Sequence, residues 1–382
     1  MKDNRRDFIK KSASLAAAVS VTGISACSGD GQKSSEGSTT EINRKAAEWP
    51  LTFGSDKPKI CMLSSFDRAY MRKIKQIGVD HVLTGGPQIP WTEKSLTEAM
   101  DQFKAEGLTV INMMIGGFDK IIYGREGRDE EILKIQDSLK AAGAVGLPVV
   151  EYNFYAHRFI DGYFNTTARG GAGTLSMDYE RGKNLPPDAG EGKGQTAEMM
   201  WDNLTWFLKA VIPVAEKSGV RMALHPNDPP VPVSHGHAQI MATFNDWKRL
   251  IEIVDSPSNG MTYDCGVSRE IGEDPLEVLH YLGSRDRINH IHYRNVRVEI
   301  PSIKYEEVFF DEGQVNMFAV MKEIFRLGYK YGLYPEHPRA LDYDREHPGG
   351  VGKNPGDAGY TGWTYNVAYA KAMMQAVESL SS

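Results

Sequence analysis

Histidine and carboxylate recur at the ends of four short apolar runs in the second half of this 382-residue chain. "VRMALHP" (220–226) reaches His225 and breaks into the rigid turn "HPNDPP"; "GMTYDCG" (260–266) reaches Asp264 and Cys265. "INHIHYRNV" (288–296) carries His292, and "YGLYPEH" (331–337) ends on Glu336 and His337. Two neutral imidazoles and two carboxylates form a nitrogen/oxygen set suited to one divalent ion, Mn²⁺ first, with Mg²⁺, Fe²⁺ or Zn²⁺ as alternatives. Successive strand residues face opposite sides, so only one of Asp264 and Cys265 can point into a shared site. A thiolate would favour Zn²⁺ and a carboxylate Mn²⁺ or Mg²⁺. We take His225, Asp264, His292 and Glu336 as the ligand set, with Cys265 as the alternative on the sixth strand. His290, His292 and Arg294 share one face of their run, so Arg294 is read as a fork for a substrate carboxylate; an ion pair with a barrel neighbour explains the same spacing.

The elements that must bring these residues together can be counted. Four earlier runs, "KPKICML" (57–63), "HVLTGG" (81–86), "LTVINMMI" (108–115) and "LPVVEYNF" (147–154), precede the four above and make eight strands. Between them lie stretches such as "SLTEAMDQFKAEG" and "AEMMWDNLTWFLKAVIPVAEKSG", with apolar residues at three- and four-residue intervals and a closing Gly. Eight strand–helix repeats predict an α/β fold, a single (β/α)8 TIM barrel, whose chemistry sits at the C-terminal strand ends. An open doubly wound sheet would need a glycine-rich phosphate loop after the first strand, and "CMLSSFDRAY" offers none. Two connections are long, about 155–197 after the fourth strand and 338–362 after the eighth, and read as lids or binding loops.

"MALHPNDPP", "HIHYRNV", "PVVEYNF", "WFLKAVIPVAEKSGV" and "DSPSNGMTYDCG" together resemble the mannonate dehydratase family, in order and spacing, from about Lys57 to the C-terminal helix. The resemblance implies a metal-dependent barrel that removes water from D-mannonate to give 2-keto-3-deoxy-D-gluconate. It implies a catalytic role for His337 and for Tyr360 of "GYTGW", although an aromatic plug seating the last helix would also account for Tyr360. Arg294, Asn295 and Asn153 are taken as substrate contacts. Some residues depart from the family pattern. Asn227 replaces the first Asp of His-Pro-Asp-Asp-Pro-Pro, Asp264 falls on the metal-binding Cys, and Glu336 and Pro338 replace the Asp and Gly of Pro-Asp-His-Gly. An Asp on the sixth strand and a Glu on the eighth resemble the wider xylose-isomerase-like barrels. A sugar isomerase or epimerase of that group, and a non-catalytic sugar-binding lipoprotein, are therefore the rival readings.

The N-terminal segment reads differently. Arg5 and Arg6, a mildly apolar stretch and "ISAC" (24–27) match a twin-arginine lipoprotein signal over 1–27, with Cys27 as the lipidated residue; an ordinary signal peptidase site is the alternative. Residues 28–50 read as a disordered tether and 51–382 as the catalytic barrel, which predicts a periplasmic protein touching the membrane only through its lipid. Apart from Cys27 only Cys61 and Cys265 are present, so no disulfide framework is expected. Net charge is −6 with acids and bases interspersed, which argues against a nucleic-acid partner; the family resemblance implies a small sugar acid or sugar as partner, with a homo-oligomer open. Arg158, Arg169 and Arg181 in the fourth long connection are candidates to close over an anion.

Overall fold

The computed structural model describes residues 50–187, 194–300, 303–347 and 359–381. The expected signal over 1–27, with Cys27, and the tether up to residue 49 lie outside these residues. Eight parallel strands close into a barrel: β1 Lys59–Leu63, β2 His81–Gly85, β3 Thr109–Met114, β4 Val149–Tyr152, β5 Arg221–Leu224, β6 Asn259–Asp264, β7 Ile288–His292 and β8 Gly332–Tyr334. Neighbours pair in chain order, and β8 returns to β1 with Lys59 beside Gly332. Seven strands fall within the runs read from the sequence, and β6 begins one residue before its run, at Asn259.

Eight principal helices cover the outside: α1 Arg68–Gln76, α2 Glu93–Ala105, α3 Arg128–Ala144, α4 Ala197–Lys217, α5 Phe244–Ile253, α6 Pro275–Gly283, α7 Met317–Arg326 and α8 Tyr360–Ser381. Their starts follow from side chains that accept the first unpaired backbone N–H groups. Asp67 caps α1, Thr196 caps α4 through the Met199 N–H at 3.2 Å, and Thr243 caps α5 through the Asp246 N–H at 3.2 Å. Along α4, Met200, Leu204, Phe207, Leu208, Val211, Ile212 and Ala215 are buried, a stripe of three- and four-residue steps that seals one side of the barrel. Among the described residues no helix is long and apolar enough to cross a membrane.

Two departures from the expected layout shape the site. The run 288–296 is not one strand: β7 stops at His292, and a second strand starts at Asn295 and runs to Glu299. Tyr293 makes a last barrel hydrogen bond, donating to Tyr334 O at 2.8 Å, after which the chain pairs antiparallel with Lys304–Val308. The long fourth connection likewise contains a hairpin, Tyr163–Thr167 with Gly173–Asp178. The hairpin and the second pair of strands join into one four-stranded antiparallel sheet inserted over the barrel rim.

The barrel interior carries a polar layer. Glu151 of β4, fully buried, accepts from the Thr262 hydroxyl of β6 at 2.6 Å and from Asn112 Nδ2 of β3 at 2.7 Å, while His290 of β7 lies opposite Thr262 in register. Glycine opens β8 because His290 needs the space: a Cβ on Gly332 would lie 2.9 Å from His290 Cε1 and Nδ1. Gly332→Ala should therefore overpack this layer and cost about 1–3 kcal/mol. Equilibrium unfolding in denaturant checks it, and unchanged stability would mean His290 has room to move.

Candidate active site and metal centre

His225 directly follows β5, and its backbone N–H still donates to Tyr152 O of β4 at 2.9 Å. Asp264, the last residue of β6, pairs in register with His292, the last of β7. Tyr334 closes β8 beside the same His292, and Glu336 lies two residues further on. The parallel register thus delivers all four expected ligand residues to one rim. Their side chains converge: His292 Nδ1 lies 3.1 Å from His225 Nε2, 3.0 Å from Glu336 Oε1 and 3.9 Å from Asp264 Oδ2.

The hydrogen bonding of this cluster suits a cation. Pro226 O can only accept, so at 2.7 Å the His225 Nδ1–H donates to it, which leaves the Nε2 lone pair facing inward. Behind His292, Glu151 Oε1 lies 3.7 Å from Nε2, the place from which a carboxylate orients a metal-bound imidazole. Burial opposes charge on His292, but Glu336, Glu151 and Asp264 outweigh it and lift its pKa to about 9. Burial also holds Asp264 above the usual carboxylate range against the pull of Arg294, and Glu336 adds to the rise. The proton on His292 Nδ1 therefore occupies the point where three sets of lone pairs meet. A divalent ion fits that point better, because it can satisfy all of them at once, and the imidazole and carboxylate donors suit Mn²⁺-like ions.

Arg294 is a correction to the sequence reading. Instead of reaching a substrate it is buried below the rim, 1% exposed, and does not line the cavity. Nε donates to Asp264 Oδ2 at 2.9 Å and lies 3.3 Å from Glu336 Oε1; Nη1 donates to Glu270 Oε1 at 2.7 Å; Nη2 is 3.3 Å from Asp228 Oδ2. Strand spacing gives the face on which a guanidinium lies, and four carboxylates on that face claim it first. Cys265 begins the short helix Cys265–Glu270, which Asp264 caps by accepting from the Val267 N–H at 2.9 Å. Its thiol turns the other way, donating to Arg294 O at 3.0 Å, and burial pushes its pKa well up. Gly266 must be glycine here, since a Cβ would come within 2.8 Å of Arg294 Cζ.

Above the cluster opens a cavity of about 750 Å³, lined among others by His225, Asp228, His292, Glu336, His337, Asn153 and Arg158. His337 adopts a left-handed backbone, φ 47°, unusual for a residue with a side chain. Its Nε2 is 3.4 Å from Glu336 Oε2 and its Nδ1 is 2.8 Å from Glu307 Oε1. Burial works against its charge, yet Glu307 and Glu336 raise its pKa to about 9. Asn153 and Arg158 reach the cavity as expected; Asn295 and Tyr360 do not. Asn295 Nδ2 donates to Phe310 O at 2.8 Å and Val315 O at 3.1 Å, closing the loop that follows the inserted sheet. The Tyr360 phenol points away from the cavity, donates to Lys73 O at 3.2 Å and seats α8 against α1, while Trp363 of the same turn lines the cavity and stacks on Tyr334. Arg169 pairs with Asp311 at 2.6 Å and Arg181 stacks on Phe164, so of the three loop arginines only Arg158 faces the cavity.

Sequence reasoning passed over Glu151, Asp228 and Glu307. A lone acid inside the apolar run "LPVVEYNF" was a usable signal for Glu151. Asp228 accepts from the Tyr163 and Tyr305 hydroxyls at 2.9 and 3.0 Å, contacts from the inserted sheet that no local pattern announces.

Removing Arg294 tests its position. Arg294→Met should cost about 3–5 kcal/mol, since it leaves buried carboxylates without a counter-charge. Arg294→Lys, which keeps the charge but loses the fork, should fold with reduced metal content. Thermal unfolding and elemental analysis read both, and a variant with normal stability and metal but a raised KM would return Arg294 to the role of substrate clamp.

Comparison with known proteins identifies the relatives of this chain. The family model of D-mannonate dehydratase (UxuA) matches residues 191–382. A mannonate dehydratase of Streptococcus pneumoniae (strain 70585) is 29% identical over 321 residues, covering 75% of this chain and 86% of that protein. Mannonate dehydratase 2 of Halalkalibacterium halodurans is 26% identical over 316 residues, covering 74% and 90%. The crystal structure of mannonate dehydratase from Streptococcus suis serotype 2 superposes with a TM-score of 0.75 at 26% identity, covering 85% of this chain and 96% of that one. A xylose isomerase-like TIM barrel protein from Mycobacterium smegmatis, TM-score 0.55 at 13% identity over 85% and 100% of the two chains, shares the fold. These matches correct the expected localisation: they are to mannonate dehydratases over most of the chain and give no support to an export signal, so the reading of a periplasmic lipoprotein exported by the twin-arginine route is withdrawn. That reading rested on a short compositional pattern with no tertiary constraint, whereas the matches cover most of the chain. The chain belongs to the D-mannonate dehydratase (UxuA) family, a metal-dependent family of hydro-lyases.

Proposed function

We propose that this chain dehydrates D-mannonate or a close aldonate to the 2-keto-3-deoxy acid, with one Mn²⁺ held by His225, Asp264, His292 and Glu336. The observation that carries this is the meeting of four strand-end donors at the floor of a cavity into which His337 also projects. A divalent ion held by these residues would supply Lewis-acid polarisation of a bound aldonate, which would make the C2 proton easier to remove. In its neutral form, the minor one below about pH 9, His337 takes that proton. The C2–H electron pair becomes the C2–C3 double bond, and the 3-hydroxyl leaves as water once it receives a proton. The resulting enol rearranges to the 2-keto acid.

Binding and orientation fall to other cavity residues. Arg158 offers the one cavity-facing guanidinium among the loop arginines and suits the anionic end or the polyol of an aldonate, and Asn153 offers an amide beside it. The phenols of Tyr155 and Tyr163 line the same space and stay protonated, because burial raises both; the Tyr163 proton is held by Asp228, which leaves Tyr155 to supply the proton for the departing hydroxyl.

Two experiments test the reading. Elemental analysis should find about one divalent ion per chain, lost in His225→Ala and retained in Cys265→Ser; full metal in the first or none in the second overturns the ligand set. Incubation with a panel of aldonates and neutral sugars, followed for 2-keto-3-deoxy acid, should give product with D-mannonate that falls about 10³-fold in His337→Asn at unchanged metal content. Interconversion of neutral sugars without loss of water would replace dehydration by isomerisation.

A further inference from the structure

Glu307 sits on the inserted sheet, in the strand Lys304–Val308, and none of the barrel strands carries it. It is nevertheless 1% exposed and lies against His337 at the cavity. We propose that Glu307 is the positioning residue that fixes the tautomer and orientation of the His337 imidazole, so that the inserted sheet is part of the proton-transfer machinery. The inference rests on the reading above that His337 carries the substrate proton.

The carboxylate has little freedom of its own. Oε2 accepts from Arg339 Nη2 at 2.7 Å, while Arg339 Nη1 donates to Glu307 O at 2.9 Å, so both ends of the residue are gripped by one buried guanidinium. The Thr174 hydroxyl from the neighbouring strand also donates to Glu307 O. Arg339 Nη2 reaches His337 O at 2.7 Å as well, which ties the strained left-handed residue into the same unit. With Oε2 engaged, Oε1 is left for His337 Nδ1 at 2.8 Å.

A carboxylate oxygen can only accept, so this contact favours a proton on Nδ1 and makes Nε2, which faces the cavity with Glu336 Oε2 3.4 Å away, the nitrogen that exchanges the substrate proton. When Nε2 takes the C2 proton, the ring becomes an imidazolium whose charge faces Glu307 directly. The backbone strain at His337 persists because the surrounding bonds over-determine it, a usual arrangement where a side chain must be aimed.

The test uses the full chain loaded with Mg²⁺, which leaves imidazole signals observable. Glu307→Gln can still accept from Arg339 through its amide oxygen but presents an NH₂ to Nδ1, which forces the ring proton to Nε2. Expected are a fall in kcat of roughly 10²-fold with KM and metal content unchanged, and a change of the His337 ¹⁵N ring signals from the Nδ1–H to the Nε2–H pattern. Glu307→Asp, which keeps the charge and retracts it by one methylene, should recover part of kcat. A folded Glu307→Gln protein with wild-type kcat and unchanged ring signals overturns the proposal, as does a loss that tracks metal content alone. Should Glu307→Gln fail to fold, Glu307→Asp decides: wild-type kcat overturns the proposal, and a fall of about tenfold or more at constant KM and metal supports it. Retained dehydration in His337→Asn would remove the reading beneath the inference, whereas an inactive His337→Asn beside a fully active Glu307→Gln would remove the inference alone.

Discussion

The buried guanidinium of Arg294 holds the C-terminal rim of the barrel together. Asp264 and Glu270 flank one short helix, Asp228 follows β5 and Glu336 follows β8, and each would be costly to bury as a charged group without a partner. Arg294 reaches all four within 3.3 Å. Because the same Asp264 also caps the helix that begins at Cys265, the end of β6, the end of β7 and the turn after β5 are locked by one set of contacts. Gly266 belongs to this set, since only a residue without Cβ lets the guanidinium pass so close.

The site above that anchor is layered. Glu151 beneath His292 is satisfied by Thr262 and Asn112, which leaves it a fixed acceptor behind the imidazole rather than a mobile charge. The rim supplies the converging imidazoles and carboxylates, and the inserted sheet supplies Glu307 and, through Tyr163 and Tyr305, the partners of Asp228. The barrel is shared with proteins as distant as 13% identity, a likeness that carries the fold alone. What distinguishes this chain is therefore the rim and its inserted sheet, where small changes of residue alter the chemistry without disturbing the strands below.

The departures from the family pattern noted in the sequence have a common physical setting. Asp264 stands where a thiolate is usual, and the neighbouring Cys265 thiol is turned into the backbone of Arg294, so the sixth strand presents an oxygen to the cluster. Glu336 is longer by one methylene than the usual Asp, and its two oxygens divide between His292 and His337. An all-carboxylate and imidazole set is harder in character than one with sulfur, in keeping with Mn²⁺-like ions.

The sequence by itself determined the eight strands, the helical stripes between them, and the rim position of His225, Asp264, His292, Glu336 and His337. These follow from short periodicities, period two along strands and three to four along helices, together with the rule that parallel strands end at one face. Local spacing required only that Asp264 and Cys265 part, and it is the tertiary structure that turns the Cys265 thiol to the Arg294 carbonyl. Tertiary structure alone decided the rest. Arg294 and Asn295 were assigned to substrate because their spacing gave a face but not the carboxylates and carbonyls waiting on it. Tyr360 was assigned to the site because a motif does not say which residue of a helix's first turn faces the cavity. Glu307 stayed hidden because its partners, His337 and Arg339, lie some thirty residues away and meet it only when a sheet built from two separate connections folds over the rim. Pairings of that kind depend on closure of long loops around a finished barrel, and no periodicity in the chain encodes them.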